Sequence, residues 1–196
     1  SEETARALDE MLQENVAVVL LPALRCSNAI AQSIAAVLIR VVLAPEHLEW
    51  TEQSESLLHG VLPLVEEDEK VISTGFARLV ADLTARNPRK DALINILQLC
   101  GGSARSAKIS ALNVLSEVLR LGREMTDDTI AAVTTTTLPR LKDKDMESRK
   151  AATAVFAHIP PQTMLPTLIR LLVSKDDLVI WGSRKQSGRT LVKMST

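Results

Sequence analysis

The dipeptide Leu-Pro recurs along this 196-residue chain as Leu21-Pro22, Leu62-Pro63, Leu138-Pro139 and Leu165-Pro166. The first step is 41 residues, and the second, 76, divides into units of 35 and 41 with Gln98 standing where a proline would be. A period of this size constrains the fold strongly, because each unit must bury its apolar face on the next. In this register Leu138 aligns with Leu97, Leu62 and Leu21, and Leu141 with Cys100, Val65 and Leu24. Further on, Val155 aligns with Val114, Leu79 and Leu38, Phe156 with Leu115, Val80 and Ile39, and Ile159 with Val118, Leu83 and Val42. A small residue recurs as Ala152, Ala111 and Ala35, with Phe76 breaking the series. Within each unit these last positions fall at offsets 0, 3, 4 and 7, the stripe that turns one face of a helix to its neighbours. The competing reading is an irregular bundle of ordinary amphipathic helices.

The periodicity predicts helix pairs: 15–25 with 29–43, 51–66 with 70–86, 90–100 with 104–121, 127–142 with 146–158, and 161–173 with a segment after 178. Residues 2–14 read as one more, partial N-terminal helix, the end of a preceding repeat. Pro45, Asn87-Pro88, Gly101-Gly102, Gly122 and Pro160-Pro161 supply the stop and turn chemistry between helices, with Gly101 expected as a C-cap and Ser103 as the next N-cap. Aromatic residues make up only 2% of a chain that is 46% hydrophobic, which favours aliphatic helix packing over an all-β fold. The expected fold is all-α, one continuous array over 1–196 with repeats at 15–43, 51–86, 90–121 and 127–158 and a degenerate terminal repeat or cap at 161–196. The start at Ser1-Glu2-Glu3, already helical in pattern, predicts a segment excised from a longer protein.

The stretch LPRLKDKDMESRKAATAVFAHI, residues 138–159, resembles the HEAT-repeat family. That pattern has a proline in the first helix, an aspartate in the short turn, and a basic residue followed by small residues early in the second helix. Pro139, Asp143 or Asp145, Arg149 and Ala151-Ala152 stand at those places. Pro63 and Glu69 match in the second unit, where Ser73 replaces the basic residue. Lys108 supplies it in the third, where Ala104 replaces the acid, and the first unit has Asn28 and Gln32. The resemblance covers residues 15–175 and fades after Asp177. It implies a right-handed α-solenoid of about five stacked antiparallel helix pairs, with armadillo-type repeats as the nearest competitor. It also implies a non-catalytic protein-binding scaffold that meets partners through second helices and intra-pair turns. In that reading Pro63, Pro139, Asp145 and Arg149 are structural.

Residues that could carry chemistry are scattered. His47, His59 and His158 have no Cys or second His at ligand spacing, no nucleophile motif occurs, and Gly101-Gly102-Ser103 lacks the strand and lysine of a phosphate loop. No catalytic residue, cofactor or metal is expected. No uncharged apolar run reaches the length of a membrane span, and isolated Cys26 and Cys100, in stretches that read as buried, suit a cytoplasmic or nuclear compartment.

Charge is unevenly placed. Residues 1–69 hold 13 acids against 3 bases, net −10, while residues 70–196 hold 11 acids against 20 bases, net +9. Acids at a second-helix start complement the helix dipole, but eight acids without a base over 46–69 exceed that duty. Glu66, Glu67 and Asp68 are therefore candidate partner contacts, as are Lys142 and Lys144 in the later charged turn, and the resemblance implies Lys70, Arg105, Lys108 and Lys150 as exposed contact positions early in the second helices. The expected partner is a protein presenting a charged or extended segment. Interleaved acids and the lack of stacking aromatics argue against nucleic acid, leaving a nucleic-acid-associated support domain as the weaker alternative. A nuclear transport receptor segment (karyopherin-like) is another alternative, on the stretch DEKVISTGFARLVADL. A tubulin-binding TOG-type array is a third, although the turns RCSNA, EEDEK, GGSAR, KDKDM and SKDDL lack its Trp and its run of bases.

Overall fold

Asn28, Ser73, Thr126 and Asp145 each stand one residue before a helix and accept a backbone N–H from its first turn. The bonds run from Ile30 to Asn28 at 2.9 Å, Phe76 to Ser73 at 3.3 Å, Thr129 to Thr126 at 3.3 Å and Ser148 to Asp145 at 2.8 Å. Each satisfies a donor that the helix itself cannot. In the computed structural model of the chain, which describes residues 18, 20–26, 28–43, 52–122 and 126–173, the described residues are all-helical, with no strand among them. The elements are α1 (Leu21–Leu24), α2 (Ala29–Leu43), α3 (Glu52–Glu66), α4 (Thr74–Arg86), α5 (Asp91–Gly101) and α6 (Arg105–Arg120). They continue with α7 (Asp127–Thr137), prolonged by a 3-10 turn at Leu138–Lys142, then α8 (Met146–Phe156) and α9 (Pro161–Val173). The expected helix at 2–14 and the segment after 173 lie outside the described residues, as does Val42's side chain.

Two of the Leu-Pro prolines fall at the start of a helical element and two inside a helix. Pro22 sits in the first turn of α1, Pro63 inside α3, Pro139 at the start of the 3-10 turn and Pro166 inside α9. A proline cannot donate to the carbonyl four residues back, so an interior one opens the ladder there. Gln98, in the same register, leaves α5 an unbroken helix.

Second helices pack on one another in chain order: α2 on α4, α4 on α6 and α6 on α8. The first helices lie alongside, α1 on α3, α3 on α5 and α5 on α7, and each also touches its own second helix. One continuous core runs between them, from Leu24 through Leu58, Leu79, Ile96, Leu115 and Phe156 to Met164. The aligned triplets Leu79–Val114–Val155 and Val80–Leu115–Phe156 are all fully buried. Leu38, in register with the first triplet, is 47% exposed.

Polar bonds at nearly the repeat spacing link these units. Arg40 of α2 pairs with Asp82 of α4, and Arg78 of α4 donates to Glu117 of α6 at 3.3 Å, separations of 42 and 39 residues. Ser33 meets Ser73 at 3.2 Å, and the buried Ser110 hydroxyl accepts the Ile72 N–H at 3.1 Å.

Three local expectations need correction. Helix α4 begins at Thr74, not 70, because the Ser73 hydroxyl caps it, so Glu69 and Lys70 lie in the turn. Ser103 does not cap α6; Ala104 occupies that place without a side-chain bond, while Gly102 ends α5. Cys26 is only half-buried, although Cys100 is buried as expected, and burial pushes its thiol up to about 12.

Candidate functional site

Every candidate contact residue lies at the end of a first helix, in the intra-pair turn after it or in the second helix that follows. The first group is the acidic turn. Helix α3 ends at Glu66, whose Oε1 accepts from Asn95 Nδ2 at 3.2 Å. Glu67, Asp68, Glu69 and Lys70 are exposed and line an open cleft of about 540 Å³ together with Arg25 and Gln32. Gln32 is buried and donates from Nε2 to the Leu24 carbonyl at 2.7 Å, fixing the cleft's other wall.

Asp68 has a structural duty that its place in a run of acids concealed. Its Oδ1 accepts the Ser106 N–H at 2.6 Å, capping α6 from the neighbouring unit. That donor belongs to the helix whose own cap position is the bare Ala104. Replacing Asp68 by Ala should therefore destabilise the chain by about 1 kcal/mol, the usual value of a cap. Thermal denaturation should show the loss, whereas Glu67→Ala should leave the midpoint unmoved.

The second group joins the start of α6 to the charged turn 142–145. Lys108 was expected to be an exposed contact, and the structure reverses this. It is 7% exposed, and its Nζ donates to Asp143 Oδ2 at 2.6 Å. A helix position facing the next unit buries the aliphatic stem, and the ammonium survives there only because a carboxylate meets it. Arg105, exposed along much of its length, donates from Nε and Nη2 to Asp145 Oδ1 at 3.2 and 3.1 Å. Arg149 Nη1 donates to the carbonyls of Asp143 and Lys144 at 2.7 and 2.9 Å, holding its own turn closed.

Asp145 caps α8 and meets Arg105 of the neighbouring unit, Arg149 closes its own turn, and Lys108 meets Asp143. Lys150 is exposed and pairs with Glu147 at 3.0 Å within one helix turn, a contact of small value. Lys142 and Lys144 are exposed, with no side-chain ion pair among the described residues. Alignment had marked position 108 as the family's basic residue; its burial followed from the acid one unit later, a signal visible only by pairing charges at the repeat spacing. The Arg40–Asp82 and Arg78–Glu117 bonds were missed for want of the same comparison.

Both turn carboxyls are held below the usual carboxylate range. For Asp143, burial pushes upward, but the Lys108 ammonium, the Asp145 N–H and the Arg140 charge outweigh it. For Asp145, the Ser148 N–H leads, and Arg105 adds to it against a smaller effect of burial. A depressed folded pKa contributes stability at pH above the unfolded value of about 3.9, and that stability is lost as pH falls through the folded value. The urea midpoint should accordingly hold from neutrality down to about pH 5 and drop below about pH 4. Asp143→Asn should flatten part of that drop.

Among the described residues no group of His, Cys, Asp and Glu is placed to hold a metal ion. No helix there is long and apolar enough to cross a membrane. Comparison of the chain with models of known families, with curated proteins and with solved structures found no match.

Proposed function

We propose that this chain is a HEAT-type α-solenoid segment, about five helix pairs stacked in a right-handed sense, that serves as a non-catalytic protein-binding scaffold in the cytoplasm or nucleus. The ordered contacts of α2, α4, α6 and α8 and the polar bonds recurring at 35 to 42 residues support the solenoid reading. An array of this kind offers a long edge on which an extended partner can lie.

The observation that carries the binding role is the division of the charged turns. Asp68, Arg105, Lys108, Asp143, Asp145 and Arg149 are engaged in bonds within and between units. Glu67 and Glu69 at one turn, and Lys142 and Lys144 two turns on, face solvent without an ion pair among the described residues. Charges that the fold does not use are the ones available to a partner. Their separation by sign would orient a charged segment along the edge, acting mainly on encounter rate and register. Arg105, Lys108, Arg140 and Lys150 around the later turn are each paired with a carboxylate, which favours a protein segment over a nucleic acid as partner.

A fluorescent Lys-rich decapeptide gives the test, read by anisotropy at low and physiological salt. Glu67→Lys with Glu69→Lys should weaken its binding roughly tenfold at low salt, with the difference shrinking as salt rises. Lys142→Glu with Lys144→Glu should strengthen it. Equal affinities across the three proteins would remove the turns from the binding role.

A further inference from the structure

Two ion pairs that join later units have no bases at the corresponding places in the first. In α6, Lys108 reaches Asp143, 35 residues on, and Arg105 reaches Asp145, 40 residues on. Moved back by the 76 residues that separate Pro63 from Pro139, the two acids fall on Glu67 and Glu69. The two bases fall on Gln32 and Ala29. The carboxylates of the turn are kept, while the cations that would meet them are replaced by residues without charge.

Gln32 and residues 67–70 line the same open cleft of about 540 Å³. Gln32 is as deeply placed as its counterpart two units on, 5% exposed against 7% for Lys108. Its Nε2 is bound to the Leu24 carbonyl, but its Oε1 accepts no bond among the described residues. A carboxamide oxygen at such depth ordinarily has a donor. On the turn, Asp68 is fixed by capping α6, which holds Glu67 and Glu69 to either side of it. Arg25 and Lys70 also line the cleft, exposed and without an ion pair among the described residues. Three carboxylates against two bases leave the cleft one cation short.

The chemistry of the acceptors selects that cation. An ammonium carries its three donors on one nitrogen, whereas a guanidinium spreads five over a planar fork and can meet a carboxylate and a separate oxygen at once. Leu24 and Leu64 line the cleft as well, a surface along which an aliphatic stem can lie.

We propose that this cleft receives an arginine side chain of the partner segment, its guanidinium between Gln32 Oε1 and the carboxylates of Glu67 and Glu69. There it takes the place that Lys108 fills within the chain two units on. This seat deepens the charged-edge reading and rests on it for the partner, adding the choice of arginine and the part played by Gln32.

The test compares the Lys-rich decapeptide with the same peptide carrying arginine at every lysine, by anisotropy on the full chain. The arginine peptide should bind about fivefold more tightly, and Gln32→Met, which keeps the shape but removes the acceptor, should close most of that gap. Gln32→Lys supplies the cation from within and should weaken the arginine peptide roughly tenfold while raising the urea midpoint. Its control is Ile30→Lys, which adds the same charge outside the cleft, on the face of α2 where Ile30, Ile34 and Val41 are exposed. Equal affinity of the two peptides for the parent, or a loss in Gln32→Lys no greater than in Ile30→Lys, would overturn the proposal. If neither peptide responds to Glu67→Lys with Glu69→Lys, the charged-edge reading fails and the seat with it. A response there without dependence on Gln32 removes the seat alone.

A second measurement needs no substitution. Cys26 is half-buried and lines the cleft, so saturating arginine peptide should slow its alkylation by iodoacetamide, with buried Cys100 as the slow internal reference. An unchanged rate at Cys26 would overturn the proposal equally.

Discussion

Asp143→Ala should lower the unfolding free energy by about 3 kcal/mol, the range found when one partner of a buried ion pair is removed. The Lys108 side chain is 9% exposed and that of Asp143 15%, so the ammonium left behind could neither find water nor keep its charge without cost. The same substitution takes the acceptor from the Asp145 N–H at 3.2 Å and the counter-charge from Arg140. It therefore loosens the turn that aims Asp145 at the first turn of α8 and at Arg105. Urea denaturation should show a lower midpoint at unchanged slope, which separates lost stability from a changed unfolded state. The double variant Lys108→Met with Asp143→Leu should recover most of the loss, because two apolar side chains leave no buried charge unpaired. An Asp143→Ala loss below about 1 kcal/mol would mean that the pair is solvated in solution and does not pin α6 to the next turn.

The parts of this molecule that could be read from its sequence are those with a period. Helix existence and the apolar stripe came from offsets within one helix, and the aligned core positions from the spacing between units. The structural reading of Asp145 and Arg149 came from the resemblance carried by one unit. What could not be read was which neighbour each charge meets. Glu66, Glu67, Asp68 and Glu69 look alike in a run, yet only Asp68 caps a helix, one that begins 37 residues later and whose own cap position, Ala104, has no side-chain acceptor. Lys108 and Lys150 look alike at the start of a second helix, yet one is buried and the other exposed. Lys108 meets the carboxylate of Asp143 in the next turn, a fact of the stack and not of the helix. The exposed face of α2 escaped for the converse reason: its apolar pattern fits a core, yet no described residue covers it.

Phe76→Ala should cost about 3–5 kcal/mol, although it would restore the small residue that the aligned units have. Ala35, Ala111 and Ala152 occupy that register place at 2%, 0% and 0% exposure, so consensus logic would predict a better-matched and more stable repeat. The packing argues otherwise. Phe76 is itself fully buried, in a helix that touches α2 on one side and α6 on the other. The residues beside it in sequence, Gly75 and Ala77, are small, and α2, which packs on α4, contributes the buried Ala35 and Ala36 to the same core. A row of such short side chains leaves volume that a ring can fill, and removing the ring leaves a cavity because helices pinned by Ser33–Ser73 and Arg40–Asp82 cannot simply close over it. Phe76→Leu, which keeps most of the volume, should cost no more than about half as much. Urea midpoints separate the outcomes, and amide exchange should accelerate in α2 and α4 before α8. If Phe76→Ala were as stable as the parent, the units would be interchangeable at this position, and α4 would need no side chain of its own to fit between its neighbours.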